Sequence, residues 1–169
     1  MSATKRIQHL VDPAYTSDLS AHSLHDLREM RAECNEVETA VSYTRRLAQG
    51  RFEILSAEQA RRKAGGSVGD LVADLPRILG EERGRSSAAN ARLVETAEPK
   101  IELDFGPQAH LIADDSLATL DHIDDADLAK TVAELSDFER ELSTYRHSLH
   151  GVLATIEREI ASRAADDVK

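Results

Sequence analysis

Two long stretches of this chain repeat apolar or small residues at alternating spacings of three and four, the heptad pattern of a coiled-coil seam. The first stretch tolerates Gly50 and ends at Gly65-Gly66, a typical stop for a helix. The second follows Asp124, a suitable N-cap residue. The first seam comprises Leu27, Met30, Cys34, Val37, Val41, Thr44 and Ala48. The second comprises Leu135, Phe138, Leu142, Tyr145, Leu149, Val152 and Ile156. The sequence therefore predicts an all-α protein built on two long helices.

Two long helices with matching seams pair most simply as an antiparallel coiled-coil helical hairpin. A parallel homodimer formed through each seam is an alternative that the seams leave open. Residues 1–16 contain Pro13 and no periodicity, and we expect a flexible arm there. The predicted hairpin domain spans 17–164. Its parts are a helix at 17–64, a short connecting helix at 67–80, a linker at 81–123 and a helix at 124–164, with a tail at 165–169.

Composition supports a helix pair and excludes several functional classes. Only 4% of the 169 residues are aromatic, and a helix that buries a narrow stripe needs few large side chains. The net charge of −10 argues against direct DNA binding and favours a partner with basic surfaces. No apolar run approaches the roughly 20 residues of a membrane span, and the first residues lack a signal peptide's apolar stretch. We expect a soluble cytoplasmic protein without membrane contact.

A set of polar residues lies beside each seam. The first ridge consists of Glu38, Ser42, Arg45, Gln49 and Glu53, at spacings of 4, 3, 4 and 4. At about 100° per residue these side chains fall within an arc of roughly 80°. The second ridge consists of Glu139, Ser143, Arg146 and His150, and Ala154 occupies its fifth position. The two sets are offset by 101 positions, and the first four residues of each set directly follow a seam residue. Duplication of an ancestral helix is the economical explanation.

The residue types of the ridges suit a guanine nucleotide. Arginine pairs with guanine O6 and N7 or clamps phosphate, glutamate accepts hydrogen bonds from the N1–H and N2 amino edge, and serine and glutamine fix register. Polar residues beside a seam are also common salt-bridge positions. A structural coiled-coil adaptor is therefore the main alternative. No nucleophile–base pair, P-loop or Glu-x-x-His is present, so we expect neither an enzyme nor a metal site.

The ridges resemble the motif E-x3-S-x2-R-x3-Q-x3-D of the actinobacterial RsiG family of anti-sigma factors. The first ridge differs only in Glu53, which stands where the motif has Asp. In the second ridge His150 replaces Gln and Ala154 replaces Asp. The segment LVADLPRIL after the first helix also looks like the family's connecting segment.

The resemblance implies a function that spacing alone does not reach. Members of the family bind cyclic di-GMP and use it to hold the sporulation sigma factor WhiG. The ligand would be a stacked dimer bound by the polar residues of both ridges, and the captured sigma factor would be unable to join RNA polymerase. The acid-rich stretch 114–141 is either a solvated helix start or a surface for the sigma factor's basic DNA-binding patch. Cys34, on the seam, is expected to be a buried structural cysteine.

Overall fold

The computed structural model describes residues 2–65, 75–79, 99–113, 120 and 122–166. Within these residues the secondary structure is helical and contains no strand. The α-helices described over their full length are α1 at Ala3–Val11, α2 at Leu24–Lys63 and α3 at Asp125–Asp166. The predicted all-α fold with two long helices is confirmed.

Helix α1 corrects the prediction of a flexible arm at 1–16. Ala3, Ile7 and Leu10 are fully buried along one face of this helix. The main-chain N–H of Ala3 also donates to the carbonyl of Asp104 at 2.8 Å. A helix of 9 residues is too short to be stable alone and depends on such packing. The prediction was wrong because three apolar residues spaced by four and three are too few to stand out as a period.

Helix α2 begins later than the predicted position 17. Residues Pro13–Thr16 and Leu19–Ala21 form two 3-10 turns before it. Ser23 and Asp26 then form a capping box: the Ser23 hydroxyl accepts from the Asp26 N–H at 3.1 Å, and the Asp26 carboxylate accepts from the Ser23 N–H at 2.9 Å. The helix continues through Gly50 and ends before Gly65, whose φ of 73° suits the left-handed conformation of a helix C-terminus.

Helix α3 begins where the sequence predicts. The Asp124 carboxylate accepts from the N–H groups of Ala126 at 2.9 Å and Asp127 at 2.8 Å, which confirms it as the N-cap. The helix extends to Asp166, so its last two residues lie in the stretch predicted as a tail. Positions 167–169 lie outside the described residues.

The connection between α2 and α3 is described in part. Positions 75–78 form one helical turn, which belongs to the short helix predicted at 67–80; residues 66–74 and 80 lie outside the described set. Within the predicted linker, Gly106–Ile112 form a 3-10 helix, and Phe105 and Leu111 are buried. The predictions for 81–98, 114–119 and 121 also fall outside the described residues.

The chain divides into two compact units, and each contains a stretch of both long helices. Unit 1 comprises Met1–Tyr43, Glu98–Gly106 and Glu141–Lys169; unit 2 comprises Thr44–Ala97 and Pro107–Arg140. In unit 1, Glu38 contacts Arg146, whereas the start of α2 lies near Arg163. In unit 2, Arg45 contacts Glu139, whereas Arg62 contacts Asp125. The two helices therefore run antiparallel within each unit, as the hairpin prediction requires.

Both seams form the core of this helix pairing. Fully or almost fully buried seam residues are Leu27, Cys34, Val37, Val41, Thr44, Ala48, Leu135, Phe138, Leu142, Leu149 and Ile156. Met30, Tyr145 and Val152 are half-buried. Because the seams of one chain cover each other, the parallel homodimer is not needed to bury them.

Candidate functional site: two arginine–carboxylate clusters

Unit 1 holds a cluster built on the Glu38 carboxylate. Its Oε1 atom accepts hydrogen bonds from Ser42 Oγ at 2.7 Å, from His150 Nε2 at 2.9 Å and from Arg146 Nε at 3.3 Å. Arg146 Nε also donates to Ser42 Oγ at 3.1 Å. The cluster thus joins two residues of the first ridge to two of the second.

Arg146 is held at one end of its guanidinium. Its hydrogen bonds all use Nε, and the terminal Nη1 and Nη2 atoms donate to no group among the described residues. The side chain is 44% exposed. A guanidinium anchored through Nε presents its two terminal nitrogens as a fork, the geometry that binds a phosphate or a guanine edge.

The surroundings of Glu38 favour its ionised form. Burial raises the pKa of this carboxyl group, but the hydrogen bonds from Ser42 and His150 and the charges of His150 and Arg146 outweigh burial, so the net pKa is lowered. The group is therefore a carboxylate at neutral pH. Its negative charge holds the Arg146 guanidinium, whose Nε lies 3.3 Å from Glu38 Oε1.

Unit 2 holds a second cluster, built on Arg45. Its Nη1 atom donates to Glu139 Oε1 and to Gln49 Oε1, both at 3.0 Å. The Gln49 amide in turn donates to Glu53 at 3.4 Å. Arg45 Nε is buried and has no hydrogen-bond partner among the described residues. The guanidinium of Arg45 is thus fixed through one terminal nitrogen, with a carboxylate from the opposite helix.

The two clusters exchange partners between the helices. Glu38 of α2 pairs with Arg146 of α3 in unit 1, and Glu139 of α3 pairs with Arg45 of α2 in unit 2. The offset of 101 positions converts one pair into the other. The hydrogen bonds described above bring eight of the nine predicted residues into these two clusters. The ninth, Ser143, is half-buried on α3, and Ala154 at the fifth position of the second ridge is exposed.

Sequence reasoning missed a second repeated device, an arginine near the end of each long helix. Arg62 Nη1 and Nη2 donate to the carbonyls of Ile123 and Leu120, both at 2.8 Å, just before α3 begins. Its Nε donates to Glu58 at 2.6 Å. We call this set in unit 2 the Arg62 latch.

Unit 1 contains the equivalent Arg163 latch. Arg163 Nη1 and Nη2 donate to the carbonyls of His22 and Leu19, just before α2 begins, and its Nε donates to Glu159 at 2.8 Å. Each of these four residues lies 101 positions from its counterpart in the Arg62 latch, as Asp124 does from the Ser23 cap. The latches could have been found in the sequence by applying the 101-position offset of the ridges to the residues at both ends of the two long helices.

Cys34 is fully buried on the seam, as predicted. Burial raises the pKa of its thiol to about 11; a hydrogen bond with the Tyr15 hydroxyl opposes this increase, and the charge of Glu33 adds a smaller one. A thiol that stays protonated at neutral pH is a poor nucleophile. Cys34 therefore serves packing.

The part of the chain around α2 is similar to a known protein family. The model of a family described as RsiG-like matches residues 13–79, a stretch that contains all of α2 and the first ridge. Over this stretch the chain is similar to the RsiG-like family. The family is one of regulatory anti-sigma factors rather than of enzymes. The second ridge lies beyond the matched residues, so its assignment depends on the 101-residue repeat.

Three further findings bear on relatives, membrane insertion and metal binding. No curated protein matches the chain at a significant level of similarity. Within the described residues, none of the helices combines the length and apolarity needed to cross a membrane. The same residues bring together no group of three or more side chains suited to hold a metal ion.

Proposed function

We propose that this RsiG-like chain is a cyclic-di-GMP-binding anti-sigma factor that sequesters a WhiG-type sigma factor and so represses its transcription. The observation that carries the proposal is the repeated Glu–Arg pair: the same motif residues occur twice, and each arginine is held by the glutamate of the opposite helix. The family match supports the anti-sigma role. A sigma-factor partner would place the protein in the cytoplasm.

The chemistry of the clusters supports a guanine dinucleotide as ligand. Arg146 offers an open fork for guanine O6 and N7 or for phosphate, and Ser42 and Gln49 offer neutral hydrogen-bonding groups beside the arginines. Each cyclic di-GMP molecule has twofold symmetry. A protein that carries one residue set twice is suited to such a ligand, and the family resemblance extends this to a stacked dimer.

The net charge of −10 supports a basic protein partner. A sigma factor's DNA-binding surface is basic, and an acidic protein is attracted to it at long range. Asp125 and Asp137, in the acid-rich stretch 114–141, each pair with an arginine of the chain but stay largely exposed, so that a basic partner can still reach them. We propose that the bound dinucleotide completes this surface, so that the sigma factor is held only when ligand is present.

The competing function is a structural coiled-coil adaptor without a nucleotide ligand. The observation that favours it is that both Glu–Arg pairs join the two helices through the chain's own side chains. Ion pairs of this kind would stabilise a coiled coil by themselves. A nucleotide titration distinguishes the two functions directly, since an adaptor would bind no dinucleotide.

Isothermal titration calorimetry with cyclic di-GMP tests the ligand, with cyclic di-AMP and GMP as controls for base and symmetry. We expect saturable binding of cyclic di-GMP and little binding of the controls. A pull-down of a WhiG-type sigma factor with and without the dinucleotide then tests the switch. Equal recovery of the sigma factor under both conditions would reject ligand-gated sequestration, and absence of any binding would favour the adaptor.

A further inference from the structure

The roles of the two ridge glutamates differ from what residue type alone suggests. A glutamate that reads guanine accepts the N1–H with one carboxylate oxygen and the N2 amino group with the other. Both oxygens must therefore face the base edge. In unit 1, the Oε1 atom of Glu38 already accepts three hydrogen bonds, from Ser42, His150 and Arg146. An oxygen atom with about two lone-pair directions has no capacity left for a base.

Releasing Glu38 for a guanine would break several contacts at once. The displaced donors include the Arg146 guanidinium, the group best suited to bind the same ligand. Charge-assisted hydrogen bonds are the strong ones in a partly buried site, so this exchange is unfavourable. Arg146 itself needs no such exchange, since its two terminal nitrogens are already open.

We infer that Glu38 and Glu139 are positioning residues, each aiming the ligand-binding arginine of the opposite helix rather than reading the guanine base. Glu38 holds Arg146 through Nε in unit 1, and Glu139 holds Arg45 through Nη1 in unit 2. This inference rests on the proposed function and assigns the contact with ligand to the arginines. It follows that an isolated helix carries an arginine without its positioning carboxylate.

A ligand-side comparison separates positioning from base reading. Cyclic di-inosine monophosphate keeps guanine's O6 and N7 but lacks the N2 amino group that a reading glutamate would bind. The affinity of the parent chain, Glu38→Gln and Glu38→Ala is measured for cyclic di-GMP and for the inosine analogue by calorimetry at one pH and one salt concentration. Glu139→Ala is measured in parallel, so that each cluster is tested.

We expect Glu38→Ala to weaken both ligands by the same factor, about fivefold or more, because the arginine loses its anchor whichever base is present. Glu38→Gln should recover part of the affinity for both ligands, since its amide oxygen still accepts from Arg146 Nε. Arg140→Ala, an exposed arginine outside both ridges, is the matched control and should leave both affinities unchanged.

The inference is overturned if the Glu38→Ala penalty is clearly smaller for the inosine analogue, which keeps N1–H but lacks the N2 amino group, than for cyclic di-GMP, since that difference is the mark of a base-reading carboxylate. It is also overturned if Glu38→Ala binds both ligands as the parent does. Circular dichroism on each variant shows that the helices persist, and Glu38→Gln serves if the alanine variant unfolds. If the parent binds neither dinucleotide, the proposed function fails, and the inference fails with it.

Discussion

The Arg62 latch of unit 2 and the Arg163 latch of unit 1 make the same main-chain contacts but differ in their carboxylates. Glu58, the partner of Arg62, is only 3% exposed and also accepts two hydrogen bonds from Arg61. Glu159, the partner of Arg163, is 30% exposed, and position 162, which corresponds to Arg61, is serine. One repeated device has thus become more buried and more highly connected in one unit than in the other.

The two arginine–carboxylate clusters diverge in a similar way. Gln49 bonds along its own helix to Glu53, whereas His150 at the equivalent position turns to Glu38 of the opposite helix. Ala154 has no carboxylate to accept a hydrogen bond from His150, as Glu53 accepts one from Gln49. The comparison teaches that the residue at the fifth ridge position decides which helix its neighbour bonds to, while a Glu–Arg pair joins the helices in both clusters.

The largest expected effect is on stability, from breaking the latches. Arg62→Ala should lower the melting temperature by about 5 °C or more, because it removes donors from two carbonyls and from the buried Glu58 carboxylate. Arg163→Ala should lower it by less, since water solvates the Glu159 that it leaves behind. Thermal unfolding followed by circular dichroism measures both. Equal shifts would show that the difference in carboxylate burial between the latches has no energetic consequence.

The fold was predictable because both seams are long and both show the same alternation of three- and four-residue spacings. Eleven of the fourteen seam residues are buried, so the sequence pattern alone located most of the core. The capping of α3 by Asp124 was predictable from residue type. Helix α1 was not, since its stability comes from packing that Ala3, Ile7 and Leu10 find elsewhere in unit 1.

The candidate site was predictable as two sets of residues but not as two clusters. Helical spacing placed Glu38, Ser42 and Arg45 on one face of α2, which is a property of one helix. Which glutamate pairs with which arginine depends on the axial register of α2 against α3, and spacing within one helix does not determine it. The latches that help to fix this register, through Arg62 and Arg163, are the part that sequence reasoning missed.

The next effect is on ligand binding, from removing the arginine of either cluster. Arg45→Ala and Arg146→Ala should each weaken cyclic di-GMP binding about tenfold or more, since each removes the charge-assisted contact of its cluster. Calorimetry at one salt concentration measures both, with Arg140→Ala as control. If Arg146→Ala binds like the parent, the second ridge takes no part and the comparison between clusters loses its functional meaning.

A smaller effect concerns acid stability. The pKa of Glu38 is lowered in the folded chain, so its contribution to folding is present above the ordinary glutamate pKa and is lost as pH falls through the lower, folded value. Glu38→Gln should therefore be less stable than the parent at pH 7, and this difference should shrink in acid. Urea unfolding at pH 7 and at about pH 3.5 tests this. A difference that persists unchanged in acid would mean that the charge of Glu38 is not what stabilises unit 1.

The smallest effect is expected at the fifth ridge position. Glu53 accepts a long hydrogen bond of 3.4 Å from Gln49, and its counterpart Ala154 has no carboxylate at all. Glu53→Ala should therefore cost less affinity for cyclic di-GMP than Arg45→Ala, about threefold or below.

The reverse substitution, Ala154→Glu, adds the missing acid at an exposed position of α3 and offers His150 an acceptor along its own helix. If that acid contributes to binding, Ala154→Glu should raise the affinity slightly. A loss for Glu53→Ala as large as that for Arg45→Ala would instead make the terminal acid a principal ligand contact, and the absence of an acid at position 154 would then mark the second ridge as the weaker half.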